Sequence, residues 1–199
     1  MSTGPTTVAP PIESIRRVAM CAASRLGKIS TLASPSMSEN GKRLARLIGL
    51  SWRGGTRGTR RTFRSLGLID LLPILRIPGL RFVSLQYGDC AEDLERLRRE
   101  AGIEVVHWPE AIADYEETAA LSVALDLTVS VCTSVIHLNG ALGRPVWVMV
   151  PAVPEWRYGV EGGTMPWYPS VRLIRQAVRG DWSDVFERVA SDLRERFTA

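Results

Sequence analysis

The sequence is poor in lysine, histidine and cysteine. Lys28 and Lys42 are its only lysines, His107 and His137 its only histidines, and Cys21, Cys90 and Cys132 its only cysteines. Two histidines thirty residues apart exclude a His-rich metal site. The cysteines are odd in number, widely spaced and form no CxxC, which excludes a disulfide framework or zinc knuckle and makes a cytoplasmic, reducing setting the default. No apolar run approaches the roughly 20 residues that a spanning helix needs. The longest candidate, 145–153, reads as a buried strand and its following loop.

What is present is a chain of 199 residues, 45% of them hydrophobic. That suits one domain of ordinary size with a real core and excludes global disorder. The net charge is +4, carried almost wholly by arginine. Arginine presents a planar, permanently charged fork that matches phosphate oxygens. A mild positive charge fits an anionic ligand without choosing between a nucleotide and RNA.

Residues 1–40 differ from the rest. Met1 to Pro11 is rich in Ser, Thr, Pro and Gly and is expected to be flexible, and Ile12 to Leu26 has the spacing of a short amphipathic helix. The stretch has few acids and lacks the apolar segment of a secretory signal, so the expectation is a tail or the remnant of a preceding domain. Residues 41–199 are expected to form the folded unit. Strands are predicted at 47–52, 81–86, 104–108, 127–131, 146–150 and 171–174. Helices are predicted at 69–75, 91–101 with Gly102 as the left-handed residue past its end, 115–125, 133–142 closed by Gly143, and 181–197 with Asp181 as N-cap. Unbroken apolar strands alternating with helices imply a Rossmann-like α/β domain, a three-layer parallel sheet covered on both faces. Ligands of such sheets sit beyond the carboxyl ends of the strands, where the strand order reverses.

Three strand-end loops carry chemistry. The first, Arg53 to Ser65, contains Arg53, Arg57, Arg60, Arg61 and Arg64 with Gly54, Gly55 and Gly58. Glycines let backbone N–H groups approach an anion, and guanidinium groups add bidentate donors, so a diphosphate is the natural partner. The run lacks the Gly-Lys-Ser/Thr of a P-loop. The second, Val131 to Pro145, puts Thr133 and Ser134 at a helix N-terminus, where either can cap the helix and free N–H groups favour an anion. His137 follows one turn later, on the same face as Thr133. The third runs from Pro151 through Trp156, Tyr158, Trp167 and Tyr168, an aromatic, proline-stiffened stretch suited either to stacking or to packing on the sheet. Gln86 follows the second strand and is a candidate to read a base edge. Trp108 follows the third, beside Glu110.

These pieces in order resemble a known family. Ile48-Gly49-Leu50-Ser51-Trp52-Arg53-Gly54, Phe82-Val83-Ser84-Leu85-Gln86, His137-Leu138-Asn139-Gly140-Ala141-Leu142-Gly143-Arg144-Pro145 and Pro166-Trp167-Tyr168-Pro169-Ser170 look like the C-terminal domain of glycosyltransferase family 9, the heptosyltransferase-like group, of the kind fused to tetratricopeptide repeats in bacteria. The resemblance spans 47–197. It implies one half of a GT-B fold that binds a nucleotide-diphosphate sugar for metal-independent, inverting transfer, with no cofactor. By it, Arg53, Gly54, Gly55, Arg57, Arg60, Arg61, Thr133, Ser134 and His137 would hold the diphosphate, with Gln86 and Trp108 near the nucleoside. The group carries Asp-Thr where this chain has Cys132-Thr133, which points away from ADP-heptose as donor. It also implies an N-terminal domain bearing the acceptor site and catalytic base, which some forty residues cannot form. The catalytic residues are therefore unassigned, and a separate polypeptide supplying the missing half is an expected partner. Two rival readings stand beside this one: a non-catalytic Rossmann-like interaction module, and an RNA-binding protein using the Arg/Gly loop.

Overall fold

The computed structural model describes residues 45–54 and 64–198. The helix expected at 12–26 and the arginines at 57, 60 and 61 lie outside the described residues. The chain is a Rossmann-like α/β fold built on a parallel five-stranded sheet. Its strands are β1 (Arg46–Ser51), β2 (Leu80–Ser84), β3 (Leu127–Val131), β4 (Val146–Val150) and β5 (Val171–Arg175), in the spatial order β2-β1-β3-β4-β5. The described helices are α1 (Leu72–Leu75), α2 (Ala91–Ala101), α3 (Pro109–Ala113), α4 (Tyr115–Ala124), α5 (Ser134–Ala141) and α6 (Ser183–Phe197).

Alternation along each strand sorts the side chains into two cores. Ile48, Leu50, Phe82, Val129, Trp147, Met149 and Ile174 point to one face, under Leu97 of α2 and Val185, Val189 and Leu193 of α6. On the other face, Leu47, Val83 and Leu85 meet Ile112 of α3, Leu121 of α4 and Val135 of α5. Farther along that face, Val146, Val148, Val150 and Leu173 meet Ile136 of α5. The strands are therefore apolar on both sides, as a covered parallel sheet requires. Polar positions inside β3 are absorbed by α5. Thr128 Oγ1 donates to Asn139 Oδ1 at 3.2 Å, and Asn139 Nδ2 donates to Ser122 Oγ at 3.2 Å and to the Val135 carbonyl at 3.0 Å.

Two sequence expectations need correction. The strand expected at 104–108 is a single parallel bridge, Val83 to Val106, held by Ser84 N to Val106 O at 2.7 Å and Val106 N to Phe82 O at 3.0 Å. Pro109 follows at once with no N–H to extend a ladder, and this edge has a neighbour on one side only. Asp181 does not sit at the N-cap of the last helix. That helix begins at Ser183, and Asp181 accepts the Ser183 N–H from one residue further out at 2.9 Å. Asp114, which the sequence reading passed over, caps α4 by accepting from Glu116 N and Glu117 N.

With the Val106 bridge counted at the edge, the chain walks outward from β1 through β2, then returns to lay β3 against the other side of β1. Ser51 pairs with Ser130 across this seam. The strand order therefore reverses between β1 and β3, and their carboxyl ends open the crevice where ligands of this fold class lie.

The α6 face carries much of the larger core. Leu193 is fully buried there, so Leu193→Ala is expected to cost about 2–5 kcal/mol through lost transfer energy and a residual cavity. Urea unfolding should show a lower midpoint with an unchanged m-value.

Candidate functional site

The crevice is built first by one carboxamide. Gln86, two residues past β2, is buried. Its Oε1 accepts from Trp52 N at 3.0 Å, Arg53 N at 2.8 Å and Ser51 Oγ at 3.4 Å. Its Nε2 donates to the Arg53 carbonyl at 3.1 Å and the Tyr87 carbonyl at 3.0 Å. Every polar atom of the side chain is thus engaged in fastening the loop after β1 to the loop after β2. The expectation that Gln86 reads a base edge is corrected: no donor or acceptor remains for a ligand in this arrangement.

Arg53 is similarly committed. Its Nε lies 3.3 Å from Asp93 Oδ2, and its guanidinium donates to the Asp89 carbonyl. Trp52 Nε1 reaches the same Asp93 oxygen at 2.9 Å. Asp93 lies in the first turn of α2, where the helix dipole favours a carboxylate. Both side chains after β1 are thereby drawn toward α2, and what the loop presents to β3 is backbone.

Gly54 makes that approach. A Cβ there would stand 2.6 Å from the Cys132 carbonyl oxygen and 2.9 Å from Thr133 Cγ2, so only glycine fits. Beyond Gly54 lie residues 55–63, outside the described set, which include the expected Gly55, Arg57, Arg60 and Arg61. The two flanks of this segment close on each other: Gly54 N donates to Ser65 Oγ at 3.2 Å, and Leu66 N donates to the Trp52 carbonyl at 2.8 Å. Arg64, buried, ion-pairs with Glu155 of the loop after β4 at 2.6 Å.

On the β3 side, Thr133 occupies the N-cap position of α5 but does not cap it. Its hydroxyl shares a 3.1 Å hydrogen bond with Ser130 Oγ instead. No side chain caps the first turn of α5, where Ile136 N donates to the Thr133 carbonyl at 3.3 Å and the N–H groups ahead of it face the carboxyl end of β3. Ser134 is exposed there. His137, half-buried one turn on, packs edge-on to Tyr168 (centroids 5.8 Å apart) and tilted to Tyr158 (6.5 Å). Desolvation, aided by the Arg157 charge and opposed by Glu155, lowers the His137 pKa, so the ring is neutral at neutral pH. Gly140 gives Tyr168 its place: a Cβ there would be 2.4 Å from Tyr168 Cγ.

Cys132 is buried against β4. Desolvation pushes its pKa up to about 12, although the Tyr158 hydroxyl hydrogen-bonds to it. It is an inert thiol. Cys90 lies 3.6 Å from His107 Nε2, and burial raises its thiol pKa as well. Trp108 packs partly buried against the cluster that holds Val83, Leu85, Ile112, Leu121 and Val135. Sequence reasoning missed the Arg64–Glu155 pair and Asp93. The acidic first turn of α2, Glu92 and Asp93 together, was the one visible signal for the latter. Among the described residues no three His, Cys, Asp or Glu side chains converge as a metal site, and no helix is long and apolar enough to cross a membrane.

The geometry defines a Rossmann-like domain with its crevice between a glycine-backed loop and an uncapped helix. Comparison with known proteins places this fold. No family model matches the chain. It is 37% identical over 152 residues to Protein FlbA of Caulobacter vibrioides, an alignment covering 74% of this chain and 25% of that protein. The chain thus spans about a quarter of the length of that relative. Among solved structures, the E. coli heptosyltransferase WaaC with ADP-2-deoxy-2-fluoro heptose superposes with a TM-score of 0.50 at 17% identity, over 87% of this chain and 52% of that one. A family 9 glycosyl transferase from Veillonella parvula superposes with a TM-score of 0.44 at 13% identity, over 82% and 40%. The former similarity establishes a shared Rossmann-like fold.

Two outcomes follow from this geometry. Gln86→Leu keeps the volume but orphans the Trp52 and Arg53 N–H groups, and is expected to cost about 1–3 kcal/mol for each donor left buried without a partner. Urea titration of the purified variant measures it. Both histidines have pKa values below the ordinary one, His107 chiefly by desolvation against a raising effect from Glu110. Their contribution to stability is therefore complete above about pH 6.5, the unfolded value, and is lost as pH falls through their lower folded values. A His107→Gln/His137→Gln double variant should show a shallower fall in thermal midpoint between about pH 7 and 5 than the parent chain.

Proposed function

We propose that the chain is the donor-binding half of a glycosyltransferase and holds the diphosphate of a nucleotide sugar at the β1–β3 seam. The observation that carries this is the contact of Gly54 with Cys132 and Thr133. It sets the glycine-bearing loop directly against the N-terminus of α5, where no side chain caps the first turn. An anion lying there meets backbone N–H groups, the positive end of a helix and the hydroxyl of Ser134. His137, neutral and one turn along, supplies a hydrogen bond to a phosphate or sugar oxygen. The guanidinium groups at 57, 60 and 61 are assigned to the same diphosphate as it becomes the leaving group, where charge-assisted hydrogen bonds gain most as negative charge develops. The solved heptosyltransferase of like fold, described with an ADP-linked fluoro-heptose, supports the choice of ligand class.

The transfer itself is assigned to a metal-independent inverting mechanism, with the acceptor and the general base furnished by another domain or polypeptide. The partial coverage of both the curated relative and the solved structure supports this division. The buried, inert Cys132 favours a donor other than one whose recognition needs a carboxylate at that position.

Thermal denaturation with UDP, GDP and ADP tests the reading. At a concentration one hundred times Kd, a bound nucleotide is expected to add about 2.7 kcal/mol, which raises Tm by several degrees. His137→Ala should shrink that shift, measured from the variant's own ligand-free Tm. The absence of any shift with all three nucleotides at millimolar concentration would remove the proposal.

A further inference from the structure

The loop after β4 ends in a feature that the diphosphate site does not use. Trp156 is 72% exposed and Trp167 56% exposed, although indoles normally bury their large apolar surface. Their rings stand at 85° with centroids 6.3 Å apart, one edge against the other's face. Together they form a right-angled shelf open to solvent.

The shelf is held rigid. Trp167 Nε1 donates to the Arg157 carbonyl at 3.3 Å, and the Arg157 guanidinium lies 4.8 Å from the Trp156 ring centroid. Arg157 also stands 3.7 Å from Glu155, which is tied to buried Arg64. The following turn is fastened by one side chain: Arg175 donates to the carbonyls of Tyr158, Gly159, Glu161 and Gly162. These contacts favour one arrangement of the two exposed aromatics before any partner arrives, which lowers the ordering cost of binding. The chemistry is mixed in a particular way: two flat apolar faces, with a cation and a carboxylate within reach of them. A pyranose ring needs that combination, since it offers one apolar C–H face and a rim of hydroxyls. The shelf also adjoins the crevice, because Tyr158 and Tyr168, beside His137, follow Trp156 and Trp167 at two and one residues.

We infer that Trp156 and Trp167, with Arg157 and Glu155, form a carbohydrate-stacking subsite that holds a sugar ring next to the diphosphate crevice. The inference rests on the donor reading for its setting, but its ligand is the sugar and not the nucleotide.

The full chain, labelled with nitrogen-15, is titrated with methyl α-D-glucopyranoside, methyl α-D-mannopyranoside, methyl β-D-galactopyranoside and N-acetylglucosamine while the indole N–H signals are followed. Trp156→Phe and Trp167→Phe assign the two signals. At least one glycoside is expected to shift both saturably and to leave the buried Trp52 and Trp147 unmoved. The Trp156→Ala/Trp167→Ala variant should bind that glycoside roughly tenfold more weakly or worse. Because both side chains are exposed, it should keep the parent's Tm and its response to UDP. Silence of both signals toward all of the glycosides overturns the inference, as does undiminished binding by the double variant. Broadening that grows with protein concentration and ignores sugar assigns the shelf to self-association and overturns it too. A chain that answers the glycoside but no nucleotide loses the donor reading and keeps the shelf.

Discussion

The crevice depends on a single buried carboxamide. Parallel strands end in loops that have no ladder to hold them, and the two loops flanking β1 would otherwise diverge. Gln86 joins them with both ends of its amide group. In a site screened from water such bonds are stronger than on the surface, and leaving any of them unmade is costly. Once Trp52 and Arg53 are fixed, their side chains turn to Asp93 and the backbone of Gly54 is delivered to β3. The order of causes runs from a polar side chain that must be satisfied to a glycine that must be bare.

The fold was legible where local physics dominates. Apolar runs such as Val146-Trp147-Val148-Met149-Val150 leave little choice but a strand buried on both faces, and that is what forms. Gly102 and Gly143 were readable as helix ends because their positions require positive φ, and both have it. The third expected strand failed for a tertiary reason. Val105 and Val106 favour extended backbone, but strand length is decided by available partners, and an edge position followed by Pro109 offers room for one bridge.

The site was less legible than the fold. Sequence can say that a Gln follows a strand, but not whether its amide turns outward to a ligand or inward to the neighbouring loop. The same ambiguity separated Thr133, a cap by composition, from the hydroxyl that bonds to Ser130. It also hid Arg53, whose place in an Arg/Gly run suggested a free cation and whose guanidinium is held by Asp93 and Asp89. Each of these side chains had two satisfactory partners in principle, and only the packing of α2 and β3 decided between them.

The same reasoning separates the two aromatic populations of this chain. Trp52 and Trp147 are buried and serve the core, one with its N–H given to Asp93 and the other with Arg172 against its ring at 5.4 Å. Trp156 and Trp167 have the same apolar drive to be covered, and the loop that bears them is braced by Arg175 rather than collapsed onto the sheet. A loop free to move would lower its free energy by folding those indoles down. Arg175 pins the turn between them through four carbonyls, which restrains the loop from that collapse. Bracing an apolar surface away from the core is unfavourable for folding alone. It becomes intelligible when another molecule completes the burial, and the crevice beside it indicates where that molecule comes from.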